Sequence, residues 1–334
     1  MLTLALTGDV MLGRLVNETL KTMQPEELWG DVLPHLLQAD LRIVNLECAL
    51  TDHRSQWTRG WKMFHFRADP QTMRVLLAAH IDACTLANNH ILDYEERGLH
   101  DTLRTLNKAG IRHAGAGANA AEAAAPALLE VAGASPCRVA LLSFTDNEPE
   151  FAAGTDHPGT NYLPISLEEE ALTRIANSIA EARGQGADLV VLSNHWGANF
   201  VERPSDEFRS FARRVIELGA DIYHGHSAHI LQGIEIYRGK PILYDTGNFI
   251  DDYAVHPQLR NDRSCLFKLM FERGQLCRIE LLPVSLSVAR VALAQGEEFD
   301  AISERMEMLC EEFGTRLIRG NDRLVWQADQ SNRG

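Results

Sequence analysis

Apolar and polar positions along the 334-residue chain change period in a regular way. Short, continuous apolar runs alternate early with stretches of helical period, as expected for βα units with strands buried on both faces. Leu2–Thr7, Leu41–Leu46, Ile81–Leu86 and Asp188–Leu192 read as buried strands, and Ala127–Val131 with Val139–Phe144 as a strand pair. Helical patterning covers Leu15–Met23, Val32–Gln38, Tyr94–Ala109, a short alanine-rich stretch at Ala118–Ala125, and Phe299–Phe313. Asp69-Pro70 opens a helix to about Ala79, with Asp as cap and Pro in the first turn, and Gly110 closes the helix before it. Ser166 and Glu169 form a capping box for a helix to Arg183, and Pro204 opens one to Leu218. Residues 51–62, with Trp57 and Trp61, form an excursion over a sheet edge, and residues 145–164 form a long loop. Two hairpins follow, turning at Arg238-Gly239-Lys240 and Glu272-Arg273-Gly274, and a short strand lies near Leu324–Trp326. Early βα alternation followed by hairpins predicts an α/β protein with two packed sheets and helices outside. Residues 1–284 form the expected main domain, and 285–334 an appendage packed on it.

Most apolar runs end in polar clusters. These are Gly8-Asp9, Asn45-Leu46-Glu47, Asn88-Asn89-His90, Asn194-His195 and His224-Gly225-His226, with His229 closing the last. The carboxyl ends of strands in an α/β sheet converge on one edge, where ligand sites form. Oxygen and imidazole donors in such a series point to a divalent metal. Asp9 is a hard-metal ligand or a helix cap; Arg14, five residues on, grips an anion or stays exposed. Glu47 bridges cations or is a rim carboxylate. Asn88-Asn89-His90 offers an amide ligand and an unligated imidazole for acid catalysis, with Asp93 placed to orient that ring. His226 and His229 are expected ligands, with His224 behind them. Trp196 walls the core or lines a substrate pocket, and Asn248, after another strand, shapes the same pocket or a plain turn.

The formal net charge of -14 argues against broad binding to nucleic acid or anionic membrane. It leaves room for a small anionic or peptide-like substrate, since a bound cation inverts the local field. The six cysteines include no CxxC pair and read as reduced thiols of a cytoplasmic protein. The start of the chain reads as a core strand rather than a signal peptide, and no apolar run reaches membrane-spanning length. Nothing in the pattern fixes an oligomeric state.

These motifs resemble the CapA family, linked to poly-gamma-glutamate capsule biosynthesis, within the calcineurin-like metallophosphoesterase superfamily. The resemblance runs from Gly8-Asp9-Val10-Met11-Leu12-Gly13-Arg14 through Asn45-Leu46-Glu47, Lys62 to Arg67, Leu86-Ala87-Asn88-Asn89-His90 and His195-Trp196-Gly197. It closes with Gly225-His226-Ser227-Ala228-His229 and Gly247-Asn248-Phe249. It implies a four-layer α-β-β-α sandwich with two packed mixed sheets and the metal site at the sheet edge. It also implies Asp9, Glu47, Asn89, His195, His226 and His229 as ligands of one or two divalent ions (Mn, Fe or Zn, with Mg or Ca as alternatives). His90 matches the residue that acts on the substrate or leaving group. One departure is Met11, which stands where the superfamily's first motif carries a histidine. The implied activity is metal-dependent hydrolysis of a phosphoester. The alternatives are epimerisation or γ-glutamyl amide hydrolysis at the same site, and a binding role without turnover.

Overall fold

A computed structural model of the chain describes residues 1–132 and 136–329. Its first strand, Leu2–Val10, sets the architecture. Alternate residues of a strand face opposite sides of the sheet. Leu2, Leu4 and Leu6 accordingly enter one apolar core and Ala5 another. The same split divides Val139 and Leu141 from Ala140 and Leu142, and Leu189 and Val191 from Val190 and Leu192. Strands apolar on both faces must be covered on both faces, which is why the runs are continuous rather than alternating.

Two large mixed sheets result. In the first, Leu2–Val10, Leu41–Leu46, Ala83–Thr85 and Arg112–Ala114 run parallel, while Arg263–Glu272 lies antiparallel on the other side of Leu2–Val10. In the second, Cys137–Thr145, Leu189–His195, Ile222–His226 and Lys240–Leu243 run parallel, edged by antiparallel Ala127–Val131 and Ile234–Tyr237. The facing surfaces of the sheets share one core, with Leu4, Leu6 and Phe267 from the first and Leu141 and Val191 from the second. Helix Glu95–Ala109 and shorter helices bury Leu28, Val75, Leu99 and Leu106 against the outer face of the first sheet. Helices Glu169–Gly184 and Asp206–Glu217 bury Ile175, Ile179, Phe211 and Val215 against the outer face of the second. The layering is α-β-β-α, as expected.

Beyond residue 284 the chain stays on the first sheet. Gln275–Ser287 pairs with Arg290–Leu293 and with Leu324–Gln327, and helix Gly296–Glu311 sends Ile302, Met306 and Cys310 into the core between the sheets. Residues 330–334 of the expected appendage lie outside the described residues.

Local differences have local causes. A helix at Pro25–Trp29 that the apolar pattern does not reveal is opened by a capping box between Gln24 and Glu27. Asp69 does not cap with its side chain. Its carboxylate goes to Asn17 and Arg67, and the segment starts as a 3-10 turn, Pro70–Met73, before helix Arg74–Ala78. The Ser166–Glu169 box does not form either. The Ser166 hydroxyl accepts the Glu168 N–H at 3.1 Å, a tighter local turn, and Glu168 takes the cap position of the helix. Ser205, one residue after Pro204, caps Asp206–Glu217 through the Phe208 N–H. Gly110 closes Glu95–Ala109 in the left-handed conformation, as its sequence position predicts.

Candidate metal centre

Strand register brings the polar clusters together. Asp9 pairs with Asn45 on one side and with Asn248 on the other. In the second sheet His195, the last residue of its strand, pairs with His226, the last residue of the next. The two sheet edges face each other. Donor atoms of Asp9, His195 and His226 lie within 4.8 Å of one another, and so do those of Asp9, Glu47 and His229. Asp9 belongs to both groups. Its Oδ1 lies 3.3 Å from His226 Nδ1 and 3.9 Å from His195 Nδ1, while its Oδ2 lies 3.5 Å from His229 Nδ1.

Buried polar atoms normally have partners. Here Asp9 Oδ2, Glu47 Oε1, Asn89 Oδ1 and His195 Nε2 are buried with no hydrogen-bond partner. These four belong to residues that the resemblance implies as ligands; Asp93 Oδ1, Asn194 Oδ1, Asp251 Oδ2 and Asp252 Oδ1 lack a hydrogen-bond partner as well. Two carboxylates, an amide oxygen and imidazoles are donors that suit a first-row divalent ion, so the chemistry of the set fits a metal.

The charges of the free site are mutually dependent. Burial alone would raise Asp9, but the adjacent imidazoles of His226 and His229, with His195 beyond them, hold its carboxyl well below the usual range. Burial and the neighbouring Asp9 charge push Glu47 up to about 8. Burial acts to lower His229, yet Glu47 and Asp9 carry it up to about 10. Burial drives His195 far below the ordinary histidine value.

Neighbouring polar groups fix the donors. The Asn45 amide donates to Asp9 Oδ1 at 2.8 Å, and its own oxygen accepts from Thr85 and Asn88. Ser193 Oγ sits 2.9 Å from His226 Nε2 and 3.1 Å from His224 Nδ1. His224 Nε2 turns back to the Thr7 carbonyl at 3.1 Å, so this ring supports the strands behind the centre. Tyr253 donates its hydroxyl to Glu47 Oε2 at 2.9 Å.

His90 joins neither group. Its Nδ1 lies 2.5 Å from Asp93 Oδ2, and its Nε2 faces Glu47 Oε1 at 3.9 Å. Burial, reinforced by the Lys62 charge, holds the imidazole well below its ordinary value. Burial pushes Asp93 up to about 7, against the pull of Lys62 and the Phe66 N–H. The 2.5 Å contact places a hydrogen bond between Nδ1 and Asp93 and leaves Nε2 as the ring atom that faces the donors.

The remaining sequence candidates are less directly placed. The Arg14 guanidinium is ion-paired with Asp252 at 2.8 Å and stacks over Phe66 and Tyr253, so its fork is occupied within the protein. Trp196 is buried in the outer core, its indole N–H on the Tyr244 carbonyl at 2.9 Å. It also lines, with Val201, Pro204, Phe208 and Ala228, a cavity of about 270 Å3. Asn248 Oδ1 lies 2.9 Å from His229 Nδ1 and orients that ring. Met11 is fully buried, its sulfur accepting the Gly13 N–H, so this position turns into the core.

Residues 3–253 match the family model described as bacterial capsule synthesis protein PGA_cap. The chain belongs to this family. A Mycobacterium tuberculosis relative named "Probable polyglutamine synthesis accessory protein" is 31% identical over 97% of this chain and 95% of its own. The PGA biosynthesis protein CapA of Bacillus subtilis is 30% identical over 87% of this chain and 73% of its own. A solved Thermus thermophilus structure aligns over 79% of this chain and 92% of its own, at 13% identity and a TM-score of 0.42. Like the residues that carry the resemblance, the matched span of this PGA_cap chain includes the whole candidate centre.

Ser193 and Tyr253 escape a motif reading, and Lys62 falls in the Lys62–Arg67 segment that carries the resemblance but has no role assigned there. Lys62 lies in a polar excursion, Ser193 inside a buried run, and Tyr253 beyond the last glycine-rich turn. Only the fold brings them to the centre. Among the described residues, no helix is long and apolar enough to cross a membrane.

Proposed function

We propose that this chain is a metal-dependent phosphoester hydrolase. One observation carries the reading. Two donor groups share Asp9, and an imidazole outside both groups points its Nε2 at the same space. Asp9, Glu47, Asn89, His195, His226 and His229 would hold the metal. A bound Mn, Fe or Zn ion supplies a Lewis acid for a phosphoryl oxygen and acidifies water at the site. The chain's own part is positional and protonic. Asn45, Ser193 and Asn248 keep the donors oriented. As a water oxygen bonds to phosphorus and loses a proton to solvent, the ester P–O bond breaks, its electrons move to the leaving oxygen, and His90 passes that oxygen a proton from Nε2. Asp93, on Nδ1, fixes the ring and offsets the charge change.

The test is turnover of an alkyl phosphodiester, whose leaving oxygen needs a proton, with added Mn²⁺, comparing the native protein with His90→Ala at equal metal content. General acid catalysis contributes at least about 10²-fold, so the variant is expected to lose about that much while keeping its metal. Metal-loaded native protein that turns over no faster than Mn²⁺ in buffer would sink the reading.

The relatives named for polyglutamine and PGA biosynthesis favour a second reading, in which the substrate is a glutamyl peptide or polymer. The same donors would then serve carbonyl chemistry, with proton movement at Cα or opening of a γ-glutamyl amide. Deuterium uptake at Cα in D2O, with no phosphoester turnover, would select epimerisation.

A further inference from the structure

We propose that Lys62 is a positioning residue of this centre: its buried ammonium, held behind Asp93, keeps the His90 ring turned with Nε2 toward the metal-binding donors. The inference rests on the hydrolase reading and adds a residue to it. The excursion that carries Lys62 inverts the usual order of burial. Trp61, Met63 and Phe64 are 83%, 66% and 54% exposed, while the Lys62 side chain between them is 5% exposed. A lysine that gives up water while apolar neighbours face it requires a specific set of partners.

The fold supplies those partners. The ammonium lies 3.2 Å from Asp93 Oδ1 and 3.2 Å from Glu148 Oε1, and donates to the Asn89 carbonyl oxygen. The Asn89 carbonyl and Glu148 accept hydrogen bonds from it, and Asp93 Oδ1 completes an ion pair. The Phe151 ring lies 5.1 Å beneath it. Lys62 thus ties together three segments that are distant in sequence, namely the excursion, the turn that carries Asn89 and His90, and the loop at Glu148.

The grip on Asp93 is two-sided. Its Oδ2 takes His90 Nδ1 at 2.5 Å and the Phe66 N–H at 2.6 Å, while Lys62 takes Oδ1. The Trp57 N–H holds the Asp93 carbonyl at 2.9 Å, and the Phe66 ring packs 4.0 Å from the His90 ring. Without Lys62, Oδ1 would be a buried carboxylate oxygen with no cation, and rotation of the carboxylate would release Nδ1. The ring would then lose the orientation that aims Nε2.

A fold staple alone and a positioning role differ in what they move. Lys62→Met, Lys62→Arg, His90→Ala and the double variant Lys62→Met/His90→Ala are assayed on a nitrophenyl and an alkyl phosphodiester at equal bound metal. A nitrophenolate leaves without a proton; an alkoxide does not. Lys62→Met is expected to slow the alkyl ester about 10²-fold, the span of a lost general acid, and the nitrophenyl ester far less. Arg is expected to restore most of the alkyl rate, and the double variant to be no slower than His90→Ala. Equal slowing of both esters, or an alkyl rate unchanged in Lys62→Met, overturns the proposal. An activity-free readout runs in parallel, the far-downfield proton resonance of the His90 Nδ1–Asp93 contact, assigned by its loss in His90→Ala. Its loss in Lys62→Met and return in Lys62→Arg support the positioning role, and an unchanged resonance in Lys62→Met overturns it. If the native protein hydrolyses neither ester, the hydrolase reading falls, and the resonance still decides the place of Lys62.

Discussion

Asp9 carries more of the centre than any other residue, because it belongs to both donor groups while Glu47, His195, His226 and His229 each belong to one. Asp9→Asn is therefore expected to weaken divalent-metal binding more than His229→Ala, read by calorimetric titration with Mn²⁺. Comparable losses would remove Asp9 from its shared place. Asn45 offers a finer test, since its amide donates to Asp9 Oδ1 and its oxygen is held by Thr85 and Asn88. Outer partners of metal ligands are worth about 10- to 100-fold in affinity. Asn45→Ala is expected to lose binding in that range with the fold intact, and unchanged affinity would show that the hydrogen bond does not orient Asp9. Asp9, Glu47, His226 and His229 could be read from the sequence because polar groups crowded at the ends of apolar runs need partners that apolar packing does not supply. Asn45 was visible but mute, since its role depends on which neighbour it pairs with. Lys62 lies in a segment that carries the resemblance, but its burial and role were hidden, because a lysine in a polar segment is ordinarily solvated.

At the scale of elements, close strand approach sets the centre. The last strand of the second sheet's histidine pair passes so near the Tyr244 segment that a Cβ on Gly225 would lie 2.2 Å from the Tyr244 carbonyl oxygen and 2.6 Å from Trp196 Nε1. Gly225→Ala must push backbone aside, with overpacking costs of about 1–3 kcal/mol. A drop of that size is expected in chemical denaturation, together with weaker metal binding, because His224 and His226 flank the glycine. A neutral outcome would mean that the strands have slack that this packing denies. Strands were the most legible elements. Continuous apolar runs such as Leu41–Leu46 and hairpin turns such as Arg238-Gly239-Lys240 depend on local pattern alone. Caps were less legible. Asp69 and Ser166 carry the right chemistry, but tertiary partners and a tighter turn take their oxygens. The helix Pro25–Trp29 is too short to show a period.

For the molecule as a whole, the centre joins two sheets whose facing surfaces share one apolar core. The first sheet supplies Asp9 and, just past a strand end, Glu47; the second supplies His195 and His226. A metal held by all of them is a cross-link between sheets, and a ligand that binds only the folded state stabilises it by about 2.7 kcal/mol at a hundredfold excess over Kd. Chelation is expected to lower Tm, and Mn²⁺ to restore it, in the native protein and far less in Asp9→Asn. A Tm indifferent to chelator would separate the donors from the fold. The two-sheet plan followed from the order of runs and hairpins, while the meeting of the two polar edges depends on register, which no run reveals by itself.

Whether the six donors hold a metal is decided most directly by elemental analysis of the native protein and of Asp9→Asn. Both are first dialysed to equilibrium against limiting Mn²⁺, with circular dichroism to verify that both are folded. Stoichiometric metal is expected in the native protein and a clear loss in the variant. Background metal in the native protein, or equal metal in the two, would contradict a metal centre built on Asp9.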